Sequence, residues 1–185
     1  MSYDPQLTDL LSEFPTQTFD GDVYRATAKS VDPLAPSYNG GRWASTDSCP
    51  VLYTSLERDG ALAEVAFHWS QFTPPPSKPV TLHKLRVETE CTLRLIYTDL
   101  EQLGIEKSLY QTTNYKQTQE IGEAVEFLGY DGLIVPSARW NCEHLVIFPN
   151  QLSSIGFRLI ILEKIVVDWK VWAEKNKHDI DFLFS

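Results

Sequence analysis

Two short apolar runs, Gly132-Leu133-Ile134-Val135-Pro136 and Leu145-Val146-Ile147-Phe148-Pro149, bracket a polar loop at residues 137–144. Runs of this length read as buried strands, and similar signals recur along the chain. Val23-Tyr24-Arg25-Ala26-Thr27 and Val51-Leu52-Tyr53-Thr54-Ser55 are strand candidates. Residues 80–87 place Val80, Leu82, Leu85 and Val87 in an alternation that slips phase once, residues 92–97 suggest a neighbouring strand, and residues 158–169 supply another. Helical spacing appears at Leu7, Leu10, Leu11 and Phe14 ahead of Pro15, and at Leu62, Val65, Ala66 and Trp69. It returns at Ile121, Ala124, Val125 and Leu128, with Gly129 placed to end that helix in a left-handed conformation, and at Trp169 and Trp172. Strands dominate and helices are interspersed irregularly, so the expected class is mixed α+β and not a regularly alternating doubly wound sheet. No glycine-rich Rossmann or Walker loop is present.

The 185 residues fit a single domain. We divide them into an N-terminal arm, residues 1–20, and a catalytic domain, residues 21–185. The formal net charge of -9 argues against direct nucleic-acid binding, which needs Lys and Arg in excess to displace counterions. No apolar run approaches the 18 or so residues of a membrane span, and residues 1–14 lack the basic pattern of a targeting peptide, so the expectation is a cytoplasmic protein with no membrane partner. Cys49, Cys91 and Cys142 are odd in number and widely spaced, which suits reduced thiols. His68, His83, His144 and His178 show no zinc spacing, so no metal is expected.

Taken singly, the candidate reactive residues have ordinary explanations. Arg25, after the strand aromatic Tyr24, reads first as a surface ion pair. The glycines of Gly40-Gly41-Arg42-Trp43 either build a tight turn or let the backbone approach a ligand while the Arg42 guanidinium contacts a phosphate or carboxylate. Glu64 lies opposite the Leu62, Val65 and Trp69 stripe, so periodicity places it on a solvated face. Tyr53 reads as a cross-strand aromatic, and Ser137 as a turn or capping residue. No Gly-x-Ser-x-Gly elbow accompanies Ser137 and His144, which makes a hydrolase triad improbable.

In combination, Tyr24-Arg25, Gly40-Gly41-Arg42-Trp43, Val51 through Ser55, Ala61-Leu62-Ala63-Glu64-Val65, Gly129-Tyr130-Asp131-Gly132, Pro136-Ser137 and Leu145 through Phe148 resemble the RES domain family. The resemblance is strongest over residues 23–149. It implies an ADP-ribosyltransferase-like single domain with a mixed, mainly antiparallel sheet, and an activity that degrades NAD as a phosphorylase or glycohydrolase. The ADP-ribosyl acceptor is inorganic phosphate, water or a protein side chain; a protein ADP-ribosyltransferase is the alternative enzyme, and a catalytically silent NAD-binding module the alternative from another class. Many such proteins are toxins held by a cognate antitoxin with a helix-turn-helix DNA-binding region. A homodimer is left open. NAD enters as substrate, with no bound cofactor implied.

Carried over by motif, Arg25, Arg42, Tyr53, Glu64 and Ser137 take the family's functional positions; the expected catalytic residues are Glu64, Arg25 and Ser137, and the expected substrate-binding ones Arg42, Tyr53, Tyr24 and His144. The chemistry of these side chains agrees. Cleavage of the nicotinamide–ribose bond passes through an oxocarbenium-like state that a carboxylate such as Glu64 can stabilise. Arg25 and Arg42 are directional donors for the pyrophosphate, Tyr53 can stack on nicotinamide, and Ser137 can bond its amide or a phosphate. One departure from the family pattern is Glu143-His144 where an asparagine is usual, with His144 either replacing that side chain or capping the strand.

Overall fold

A computed structural model describes residues 4–152 and 158–180. Its elements are α1 (Pro5–Glu13), β1 (Thr16–Ala28), β2 (Leu52–Ser55), α2 (Arg58–Ser70), β3 (Val80–Arg94), α3 (Tyr97–Gln102), α4 (Lys107–Tyr110), α5 (Lys116–Phe127), β4 (Gly132–Pro136), β5 (Glu143–Ile147), β6 (Arg158–Val167) and α6 (Trp169–Lys175). The six strands are ordered β1-β2-β5-β4-β3-β6, and β1 also pairs with β3, which closes five of them into a ring. Every pairing is antiparallel except β3 with β4. The class is mixed α+β, as expected from dominant strands with irregularly interspersed helices.

The first helix starts where Asp4 accepts a hydrogen bond from the Gln6 backbone N–H at 2.9 Å and Pro5 occupies the first turn, where its missing N–H costs nothing. Residues 1–20, read as an arm, contribute two things to the body of the fold. Leu11 of α1 is fully buried in the cluster that also holds Ile121 and Val125 of α5. Strand β1 begins at Thr16, opposite Leu93 of β3, and so is longer than the five residues its sequence signals.

The sequence suggests two strands over residues 80–97; the structure forms one, β3, of 15 residues. The phase slip has a geometric cause. Val80 and Leu82 point to one face, into a cluster with Leu62 and Ala66 of α2 and Trp169 and Trp172 of α6. Leu85 and Val87 point to the other, into a cluster with Val23, Leu52 and Leu145. Side chains alternate sides along a strand, so a strand whose core changes sides must shift its apolar parity without breaking. The polar bend near its end is tied down by Asp131, whose carboxylate accepts from the backbone N–H groups of Glu90 at 2.6 Å and Cys91 at 3.0 Å.

Strand β4 and the second half of β5, from Leu145 on, are unbroken apolar runs because both their faces are covered. Leu133, Val135 and Val146 pack toward α5, whereas Ile134, Leu145 and Ile147 pack toward β1 and β3. Gly129 has φ +82°, the left-handed ending expected after α5. The polar stretch after β3, which carries no periodic signal, holds the short helices α3 and α4. Residues 181–185, after the segment with helical spacing at Trp169 and Trp172, lie outside the described residues. Among the described residues no helix is long and apolar enough to cross a membrane.

Candidate active site

Strand β1 follows β3 along its length but meets β2 at Tyr24 opposite Ser55. Beyond that pair the two strands part, and a cavity of about 310 Å³ opens between them. Arg25 and Ala26 line it from β1, Tyr53 and Thr54 from β2, and His144 from β5. Helix α2 closes one side with Ala61, Glu64, Val65 and His68, a single helical face at i, i+3, i+4 and i+7. The Gly40–Trp43 segment and Tyr115 complete the wall.

The arrangement corrects the surface reading of Glu64. Helix α2 buries Leu62, Ala63, Ala66 and Phe67, and the face that remains for Glu64 looks into the cavity, where its side chain keeps 30% of its exposure. Each carboxylate oxygen has an imidazole beside it: Oε2 is 3.7 Å from His68 Nε2, and Oε1 is 3.8 Å from His144 Nδ1. His144 lies within β5, opposite Ser55 on β2 and Val135 on β4, so it does not cap the strand. Burial pushes its pKa down and Arg42 adds to that, while Glu64 opposes both.

The arginines carry different loads. Arg25 donates from Nη1 to the carbonyl oxygens of Pro33 at 3.0 Å and Ala35 at 2.9 Å, which folds the loop after β1 back over it. Burial lowers its pKa to about 10, with Asp32 opposing, so it remains a cation at neutral pH. Arg42 donates to the carbonyls of Tyr110 and Thr112, and its guanidinium carbon sits 4.7 Å from the Tyr110 ring centre and 4.6 Å from that of Tyr115. Arg139 donates to the Gln111 carbonyl at 2.6 Å and lies over the Phe67 ring. Two arginines thus grip three successive carbonyls of the segment that delivers Tyr115.

Tyr53 accepts a hydrogen bond from the Trp43 backbone N–H at 3.1 Å, and burial raises its pKa well above the ordinary phenol value. A Cβ on Gly41 would lie 2.6 Å from the Tyr53 hydroxyl, so glycine is what allows this loop to lie against the ring. On the other side, a Cβ on Gly122 of α5 would collide with the Trp43 carbonyl oxygen.

Ser137 is placed apart from the other candidates. It is buried at 3% exposure, is absent from the cavity wall, and its Oγ accepts from the backbone N–H groups of Arg139 and Trp140, each at 3.1 Å. The cavity therefore gathers Tyr24, Arg25, Arg42, Tyr53, Glu64 and His144, and Ser137 shapes the loop that carries Arg139. His68 and Tyr115 are among the lining residues that sequence reasoning does not single out. His68 was legible as the residue one turn after Glu64; Tyr115, in a polar loop, carried no signal. Glu64 is the one carboxylate in the wall, against Arg25 and Arg42. Among the described residues no group of His, Cys, Asp and Glu could hold a metal ion.

The RES domain family model matches residues 22–163. Among curated proteins none matches. Among solved structures, the chain is similar to one in the crystal structure of the M. tuberculosis MbcT–MbcA toxin–antitoxin complex. The TM-score is 0.78 and the identity 21%, over 94% of this chain and 98% of that one.

Proposed function

Because the chain belongs to the RES domain family, we propose that it consumes NAD by cleaving the nicotinamide–ribose bond, as a phosphorylase or glycohydrolase. The observation that carries this reading is the position of Glu64, the lone carboxylate among the described residues of a cavity wall that also holds Arg25 and Arg42. The cavity is at the lower end of the size range for small-molecule sites, about 300–1,000 Å³, and suits the nicotinamide riboside half of the substrate. Glu64 then faces the ribose, where positive charge develops as the bond breaks. Nicotinamide leaves neutral, so the step needs no strong acid.

The pyrophosphate falls to Arg25 and Arg42 of the cavity wall. Both spend donors on carbonyl oxygens, which holds each guanidinium in place before substrate arrives and lowers the entropic cost of binding. They form a local basic exception in a chain of net charge -9, through which an anionic substrate can enter. Tyr53 and Tyr24 add aromatic walls. Ser137 acts by holding the Arg139 loop. An ADP-ribosyltransferase-like fold, a cytoplasmic location and a role as the toxin of a toxin–antitoxin pair are parts of the same reading, the last supported by the likeness to the MbcT–MbcA complex.

The test is nicotinamide release by the purified chain with phosphate present and absent, with identification of the ribose product. Phosphate dependence and a 1-phosphorylated product identify a phosphorylase; release without phosphate identifies a glycohydrolase. Glu64→Ala should lower the rate by about 10²-fold or more while the protein stays folded. Full activity in that variant would remove Glu64 from the reaction. Label from NAD appearing on protein would instead favour the transferase, and NAD binding without nicotinamide release the silent module.

A further inference from the structure

The Glu64 carboxylate lies between two imidazoles that come from different elements. His68 approaches from one turn further along α2, and its side chain is 58% exposed. His144 approaches from β5, and its side chain is 13% exposed. We propose that His144 and His68 are positioning residues for Glu64, each presenting a ring nitrogen to one carboxylate oxygen and so fixing the carboxylate plane toward the cavity. This rests on Glu64 being the group that stabilises the reacting ribose.

His144 is the more buried member of the pair, and its tautomer follows from its surroundings. His144 Nδ1 faces Glu64, whereas Nε2 is buried without a hydrogen-bond partner among the described residues. A proton on Nδ1 points at the carboxylate and leaves Nε2 as a bare acceptor. A proton on Nε2 would leave a buried donor with no acceptor, the costlier arrangement. Protonating both nitrogens would bury a cation beside Arg42, and burial lowers the pKa of His144 accordingly. The ring therefore acts as a neutral donor. A neutral donor orients Glu64 without cancelling the negative charge that the transition state needs, which a lysine or arginine at this place would do.

The separations, 3.7 and 3.8 Å, are contacts a little longer than hydrogen bonds. Catalytic contacts commonly stand this far apart in an empty site and tighten in the substrate complex. Two rings on opposite oxygens leave the carboxylate little freedom to rotate away as that happens.

Three measurements test the proposal. Nitrogen-15 NMR of histidine in the purified chain should show His144 in the Nδ1–H form at neutral pH, with a shift that moves in Glu64→Gln. An Nε2–H form, or a signal blind to that substitution, overturns the proposal whether or not the protein consumes NAD. In the NAD assay, His144→Leu should lower kcat about 10- to 100-fold with KM within about twofold, and His144→Asn, which restores a donor, should recover much of the loss. Placed on Glu64→Gln, His144→Leu should cost less than about twofold more, since it acts through the group already removed. A loss of the same size on both backgrounds, or no loss in His144→Leu, overturns it. Absence of NAD cleavage in the unsubstituted chain would instead remove the proposed function and leave the NMR result to decide the tautomer.

Discussion

The hydroxyl of Tyr53 on β2 accepts the backbone N–H of Trp43, and through that bond the strand holds the loop that carries Arg42. Gly41 is the adjoining residue because any side chain there would meet the Tyr53 ring. Tyr53→Phe keeps the ring and removes the acceptor, leaving a partly buried N–H unpaired. It should destabilise the protein by about 1–3 kcal/mol in denaturant unfolding and raise KM for NAD more than it lowers kcat. Unchanged stability together with unchanged KM would mean that the loop is held elsewhere.

Ser137 gives a contrasting expectation. Its Oγ accepts two backbone N–H groups in the loop before Cys142, and it lies outside the cavity wall. Ser137→Ala should cost about 1–3 kcal/mol of stability. The accompanying loss of activity should track disorder of Arg139, visible as faster hydrogen exchange over residues 137–142. A large loss of kcat with stability and exchange unaltered would show that the hydroxyl meets the substrate directly.

Asp131 is the main polar tie between the end of β3 and the start of β4. Its carboxylate receives the N–H groups of Glu90 and Cys91, its own N–H bonds the Cys91 carbonyl, and its carbonyl accepts from Phe148 N–H. Asp131→Asn turns one of the two carboxylate acceptors into a donor facing an N–H. The expected cost is about 2–3 kcal/mol, read as a lower denaturation midpoint at constant m-value.

Two cysteines should be slow to react in the native state. Burial raises the thiol pKa of Cys49 to about 12, helped by Glu126, and that of Cys142 to about 11, opposed by its contact with Ser55. The thiolate is the reactive form. Iodoacetamide at pH 8 should therefore modify Cys49 and Cys142 promptly in denaturant and only slowly without it, as peptide mass spectrometry would show. Rapid native labelling of Cys142 would contradict the packing around the 137–142 loop.

The strands and the α5 ending could be read from the chain because their signals are local. β4 and the Leu145–Phe148 part of the chain around β5 are continuous apolar runs, and Gly129 takes the left-handed conformation its place after Leu128 suggests. The length of β3 could not be read, since its apolar positions change parity where the core changes faces. Periodicity alone put Glu64 in solvent for a related reason. It distinguishes an apolar stripe from a polar face, and it cannot tell whether that polar face meets water or a cavity.

Sequence by itself determined the family, the mixed α+β class and six of the residues that line the cavity, because motif order and strand composition are properties of the chain. Tertiary structure alone decided that β1 and β2 part after Tyr24 and Ser55 to open that cavity. It also decided that His68, His144 and Tyr115 converge there with Glu64 and Arg42, and that Ser137 holds its own loop together outside the cavity wall. These relationships depend on which faces of distant elements meet, and nothing local to any one segment specifies them.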